Sequence, residues 1–223
     1  IVKTHDPSIV GEEALEDFRT SFALLAPEAD YMALNISCPN TREGKTFEEP
    51  EALDALLAVL FAERERLDLS VPILVKLSPP HSKEVVFDSQ LDEIIAVADA
   101  HGVHGYIASN TAPDRAGLTA GDDRLAEIGE GGLSGRPLAD RATVLVRYLY
   151  NATNGRVPII GVGGVDSAEA AYEKIRAGAS LVQLYTGLVY NGPGIVKTIK
   201  EELVQLIARD NLSPIEQAVG VDA

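Results

Sequence analysis

The chain has 223 residues, 46% of them hydrophobic, enough to bury a substantial core in one α/β domain over residues 1–223. Its 34 acidic against 19 basic residues leave a formal charge of -15, which opposes binding to nucleic-acid backbones and anionic lipid surfaces. One cysteine excludes an internal disulfide and any metal site built on several thiolates, and a reducing cytoplasm fits that usage.

The opening, Ile1-Val2-Lys3-Thr4-His5-Asp6-Pro7, lacks the charged-then-apolar pattern of a signal peptide. No run approaches the roughly 18 apolar residues of a membrane span. An apolar pair before a polar loop reads as the tail of a strand, so upstream sequence is expected. Residues 12–25 follow as a helix with Leu15, Phe18, Phe22 and Leu25 on one stripe, closed by Pro27.

Residues 30–41 then run from an apolar strand into Asn35-Ile36-Ser37-Cys38-Pro39-Asn40-Thr41, a cluster of amides, hydroxyls and a thiol. Pro39 removes a backbone donor and biases Cys38 toward an extended conformation, which halts sheet pairing. A thiol with a reference pKa near 8.5 is a usable base or nucleophile when its surroundings are electropositive, and otherwise a small buried hydrophobe. The polar continuation Arg42-Glu43-Gly44-Lys45 reads either as a lid or as a plain surface connection.

A helix over residues 52–67 leads to the strand Val71-Pro72-Ile73-Leu74-Val75-Lys76-Leu77, halted by Pro79 and Pro80. Lys76 at the end of so apolar a strand either snorkels or meets an anion or acceptor, because an unpaired buried ammonium costs several kcal/mol. Residues 84–100 form a helix with Leu91, Ile94, Ile95 and Ala98 inward. Gly105-Tyr106-Ile107-Ala108-Ser109-Asn110-Thr111 then repeats the apolar strand with a polar tip. The glycine-rich 131–138 loop precedes a helix at 139–150; its glycines serve a turn or the close approach of a ligand.

Residues 157–165 make a strand ending in glycines, with Ser167 as the next helix's N-cap and Gly178 as its stop. A last strand over 180–187 and a helix over 195–208 follow. Ser213-Pro214-Ile215-Glu216 reads as a capping box opening a final short helix. Five continuous apolar strands alternating with helices imply a parallel sheet. Each polar cluster falls at a strand's C-terminal end, as in a (β/α)8 barrel or a doubly wound sheet.

Taken together, Asn35–Thr41, Val75-Lys76, Ser109-Asn110-Thr111, Gly131–Leu138, Gly161–Gly164 and Leu181–Gly187 stand in the order found in the dihydroorotate dehydrogenases, which the chain resembles over essentially its whole length. The resemblance implies an FMN-dependent oxidoreductase on a (β/α)8 TIM barrel, of which this chain carries about the last five β/α units. It implies oxidation of dihydroorotate to orotate in pyrimidine biosynthesis, with Cys38 as the base and hydride passing to flavin. Asn35 would contact flavin and substrate, and Asn40, Asn110 and Thr111 would hold the pyrimidine. Lys76, Ser109, Gly135, Gly164, Tyr185 and Thr186 would bind FMN, the last three cradling its phosphate.

The chain also departs from the family. Cysteine at 38 is the residue of the soluble class, whereas Leu184-Tyr185-Thr186-Gly187 is like the quinone-using class. Arg42–Phe47 replaces a Pro-Gly continuation, and Val2 lies near where an asparagine is expected. The expected partners are a small-molecule substrate, another copy in a homo-oligomer, and the first barrel strands, supplied by upstream sequence or another chain. Membrane association would come only through sequence not present here. Alternatives are a related FMN oxidoreductase acting on another pyrimidine or carbonyl compound, a non-catalytic barrel fragment, and a phosphate-sugar isomerase or lyase on the same barrel.

Overall fold

The computed structural model describes residues 1–6, 8–37, 46–81, 88–115, 118–129 and 131–223. Helix α1 (Gly11–Leu25) precedes strand β1 (Met32–Asn35), and the pattern continues through α2 (Pro50–Arg66), β2 (Ile73–Leu77), α3 (Ser89–His101) and β3 (Gly105–Ala108). After β3 come α4 (Asp122–Ile128), α5 (Ala139–Thr153), β4 (Ile159–Val162), α6 (Ala168–Arg176), β5 (Leu181–Gln183), α7 (Thr186–Asn191) and α8 (Ile195–Arg209).

All five strands pair in parallel, each with the next in sequence, in the order β1-β2-β3-β4-β5. The register sets Asn35, Lys76, Ile107, Ile160 and Leu181 side by side in one row. Alternation then divides the sheet. Leu34, Ile73, Val75, Leu77, Tyr106 and Ile159 face outward into the main core with the helices. Ala33, Leu74, Ile107, Ile160 and Val162 form a small cluster of their own on the other face. A doubly wound sheet reverses its strand order and covers both faces with helices; this one does neither, which selects the barrel-like arc. The sheet curls far enough for Gln183 Nε2 on β5 to reach the Tyr31 hydroxyl beside β1 at 3.4 Å.

Ile1 behaves as a strand residue. Its ammonium donates to Ala33 O at 2.7 Å and its carbonyl accepts from Asn35 N at 2.9 Å, the two bonds of a parallel ladder rung with β1.

The helices follow the expected stripes with local corrections. In α1, Ala14, Phe18 and Phe22 are buried, but Leu25 is 54% exposed. The helix tightens there into a 3-10 turn at Ala26–Glu28, and buried Ala26 takes the place expected of Leu25. Helix α3 begins at Ser89, capped by Asp88, which accepts from Leu91 N; the expected start at residue 84 lies outside the described residues. Ser167 caps α6 as its sequence implies. The capping box at 213–216 does not form. Ile215–Ala218 is a 3-10 turn preceded by Pro214, without a side-chain cap, and the Ser213 backbone N–H donates to Gln217 Oε1 instead. Helices α4 and α7 were not expected: α4 lies within the 112–131 excursion, and the strand expected over 180–187 ends at Gln183, with α7 beginning at Thr186. Among the described residues no helix is long and apolar enough to cross a membrane.

Lys174 on α6 is 1% exposed beneath Gly161, its ammonium donating to Ala139 O at 3.2 Å and Thr143 Oγ1 at 3.1 Å. Burial lowers its pKa from 10.5 to about 8. The folded state therefore binds fewer protons than the unfolded one between those values, and stability should rise as pH rises from about 8 to 10.5. Lys174→Met removes this dependence. Denaturant melts should show the variant gaining on the wild type by about 3 kcal/mol at pH 7, an advantage that shrinks toward pH 10. A constant difference across that range would contradict the assignment.

Candidate active site

The C-terminal ends of the strands converge on a cleft of about 1080 Å³, at the upper end of the range for small-molecule sites. β2 contributes Lys76, and β3 leads into Ser109, Asn110 and Thr111 on the cleft wall. Gly163 and Gly164 follow β4, and Tyr185 and Thr186 follow β5. The 131–138 loop closes the cleft with Gly135 and Arg136.

Asn110 is the hub of the polar end. Its Nδ2 donates to Asn35 Oδ1 at 2.8 Å, Ser37 Oγ at 2.9 Å and Ser37 O at 3.0 Å, and its Oδ1 accepts from Thr111 N at 2.9 Å. Its own backbone N–H donates to Leu77 O at 2.8 Å, which locks the β3 exit onto β2. Ser37, 3% exposed, also donates its hydroxyl to Lys76 O at 3.0 Å. Asn35 stands behind Asn110, outside the cleft lining. Ser109 is 2% exposed, its hydroxyl donating to Asn110 O and its N–H to Val162 O.

At the other end glycine backbone at 135, 163 and 164 lines the cleft, with neighbouring residues packed against its other side. Gly164 has φ +73°, and a Cβ there would lie 2.5 Å from the Ala139 Cβ and 2.8 Å from the Ala139 N. Gly135 has φ +80°, with a Cβ position 2.9 Å from Thr186 Cγ2. Thr186 Oγ1 donates to Ser134 Oγ at 2.9 Å, and Arg136 pairs with Asp166, so the loops after β4 and β5 meet the 131–138 loop. The side chain of Tyr185 stands 78% exposed at the rim. Such side-chain-free backbone, together with Lys76, suits a phosphorylated planar cofactor. The residues present fit FMN.

The third wall is apolar. Leu118, Leu125 and Ile128, the last two on α4, line the cleft. The excursion carrying them closes on itself through paired bonds between Ala112 and Leu133. It is stapled by Arg115, whose guanidinium donates to the carbonyls of Leu125, Gly129 and Gly131. Arg141, 6% exposed on α5, forks onto Asp114 at 3.0 and 3.2 Å and donates to Pro80 O, tying the exits of β2 and β3 to α5.

The structure thus brings together Lys76, Ser109, Asn110, Thr111, Gly135, Gly164, Tyr185 and Thr186, with Asn35 one bond behind. Cys38, Asn40 and the 42–45 segment lie outside the described residues. Sequence reading passed over Ser37, although it stands inside the 35–41 motif. It also passed over Arg115, Arg136 and Arg141, whose roles depend on carbonyl and carboxylate partners that no local pattern reveals.

Comparison with known proteins gives the family and the fold. The family model described as dihydroorotate dehydrogenase matches residues 6–207. A protein of Roseiflexus castenholzii named dihydroorotate dehydrogenase (quinone) is 47% identical over 212 residues, covering 95% of this chain and 55% of its own length. One of the same name from Synechocystis is 41% identical over 217 residues, covering 95% and 54%. The chain therefore spans about half the length of the curated relatives it matches. The crystal structure of an Eimeria tenella DHODH in complex with ferulenol superposes with a TM-score of 0.84 at 29% identity, covering 93% of this chain and 58% of that one. The five-stranded sheet is accordingly an arc of a (β/α)8 barrel.

Proposed function

Since the chain belongs to the dihydroorotate dehydrogenase family, we propose that it carries the flavin- and substrate-binding half of an enzyme that oxidises dihydroorotate to orotate for pyrimidine biosynthesis. The observation that carries this reading is the meeting of Lys76, Asn110 and Thr111 with the glycine loops at Gly135 and Gly164 in one cleft. FMN, when bound, supplies the hydride acceptor. The loops at Gly164 and Thr186 would hold its phosphate, Gly135 and Ser109 would contact the rest of it, and Lys76 would supply a positive charge to stabilise its reduced form. Asn110 and Thr111 orient the pyrimidine, with Asn35 and Asn40 completing the amide set.

Cys38 takes the carbon-bound proton, a role that rests on its place in the 35–41 motif. A positioned base contributes about 100- to 10,000-fold. Cys38→Ala should therefore slow flavin reduction by dihydroorotate by that factor while FMN stays bound. The test is to follow the visible flavin band anaerobically after adding dihydroorotate. Bleaching in the wild type and slow bleaching in the variant support the reading. A flavin that never bleaches selects another pyrimidine or carbonyl substrate. A protein that stays colourless with added FMN refutes the activity. That last outcome belongs to the second reading, a non-catalytic part of a barrel. The names of the relatives make a quinone the first electron acceptor to test.

A further inference from the structure

Three consecutive residues at the exit of β2 are each held by a different element. Lys76 O accepts from Ser37 Oγ at 3.0 Å, and Leu77 O accepts from Asn110 N at 2.8 Å. The Ser78 N–H and hydroxyl donate to the two carboxylate oxygens of Glu48 at 2.7 and 2.9 Å. Glu48 is 7% exposed, and its own carbonyl accepts from Gln90 Nε2 on α3 at 3.3 Å. Its neighbour Phe47 is buried edge-on against Phe18, with ring centroids 5.2 Å apart. Glu48 is thus fixed on both sides before it reaches Ser78.

A buried carboxylate carries a desolvation cost that a surface turn has no need to incur. Both of its oxygens meet Ser78, two positions beyond the lysine that lines the cleft. Bidentate, charge-assisted bonds fix direction as well as distance. Resting on the flavin reading above, we propose that Glu48 is a positioning residue for Lys76, clamping Ser78 so that the β2 exit holds the ammonium at the electron-rich end of the flavin. Ser37 is the counterpart clamp on Lys76 itself. Neither residue lines the cleft. Both act through the strand.

The test uses the protein loaded with FMN and reads the affinity for FMN and the midpoint potential of the bound flavin. A well-placed cation stabilises the reduced, anionic flavin, so a displaced Lys76 shifts the potential to more negative values. Glu48→Ala should weaken FMN about tenfold and move the potential negative. Glu48→Gln, which can still bond both the N–H and the hydroxyl of Ser78, should restore most of each. Ser78→Ala, which removes only the hydroxyl, should fall between, and it keeps the proposal testable if Glu48→Ala does not fold. In a Lys76→Met background, Glu48→Ala and Ser78→Ala should move the potential no further. A lowered melting temperature with unchanged potential in Glu48→Ala or Ser78→Ala overturns the proposal, because a merely structural role behaves that way. A wild type that binds no FMN overturns the flavin reading, and this proposal with it.

Discussion

Lys76→Met should retain the fold, bind FMN more weakly, and reduce it with dihydroorotate about 100- to 1,000-fold more slowly than the wild type, the range found for loss of one preorganised electrostatic contact. Methionine keeps the unbranched length of lysine and removes only the charge. Lys76 shares its row with Ile107 and Ile160 on the inner face, and Ala33 and Leu74 line the same face below. A charge beside so apolar a patch acts in a weakly screening medium, where it is worth more than in water. Stopped-flow bleaching of the flavin band measures the effect, and a rate within threefold of wild type would remove Lys76 from the chemistry. Melting the variant separates this from instability, because the two rates are compared only on protein that is folded at the assay temperature.

Gly164→Val should cost about 3 kcal/mol of stability and abolish FMN retention. Two effects add at this position. The backbone sits at φ +73°, which side chains with branched Cβ rarely adopt, and the Cβ would lie 2.5 to 2.8 Å from three atoms of Ala139. Ala139 begins α5, so relief would require moving the first turn of that helix or the loop that follows β4. Either movement would reshape the glycine loop to which the flavin reading assigns the phosphate. Gly121→Ala is the matched control: it has open space around it and φ -69°, and should change neither property. Denaturant titration and FMN retention on gel filtration read both quantities. A Gly164→Val protein that stays yellow would move the phosphate elsewhere.

The strands were legible because buried parallel strands are written as short apolar runs bounded by prolines and glycines, as at Ile73–Leu77, interrupted only by Lys76, and Ile159–Val162. The site was legible because its residues sit in short motifs directly after those runs. Two kinds of feature were not. Helix α4 buries none of its residues, so Asp122–Ile128 carries no stripe to read. Helix α7 begins at Thr186, straight after a strand of only three residues, and the apolar run through Leu184 and Tyr185 concealed the change of geometry. The long-range fasteners were hidden for another reason. Glu48 and Ser78 are 30 residues apart, Arg141 and Asp114 are 27, and Asn110 and Asn35 are 75. Nothing in either local sequence distinguishes these side chains from solvated ones until the strands are set side by side. The 213–216 capping box failed differently: its residue types are right, but the segment closes as a 3-10 turn with the Ser213 N–H turned to Gln217.

The uninterrupted sequence of neighbours from β1 to β5 has a bearing on how the molecule comes apart. Among the described residues each strand pairs with the one before and the one after, and β1 also with Ile1, so a local opening passes from strand to strand. The end at β5 is the less buried. β5 has three residues, none of them buried, and the elements behind it rest on minor clusters around Val165 and Tyr172, separate from the principal core. Fraying should therefore begin at that margin and travel inward through β4, in the manner of a partial opening that precedes global unfolding. Such an opening would dismantle the grip on the phosphate while the amide cluster between β1 and β3 still stood, so that on warming the cofactor would leave before the pyrimidine pocket lost its shape.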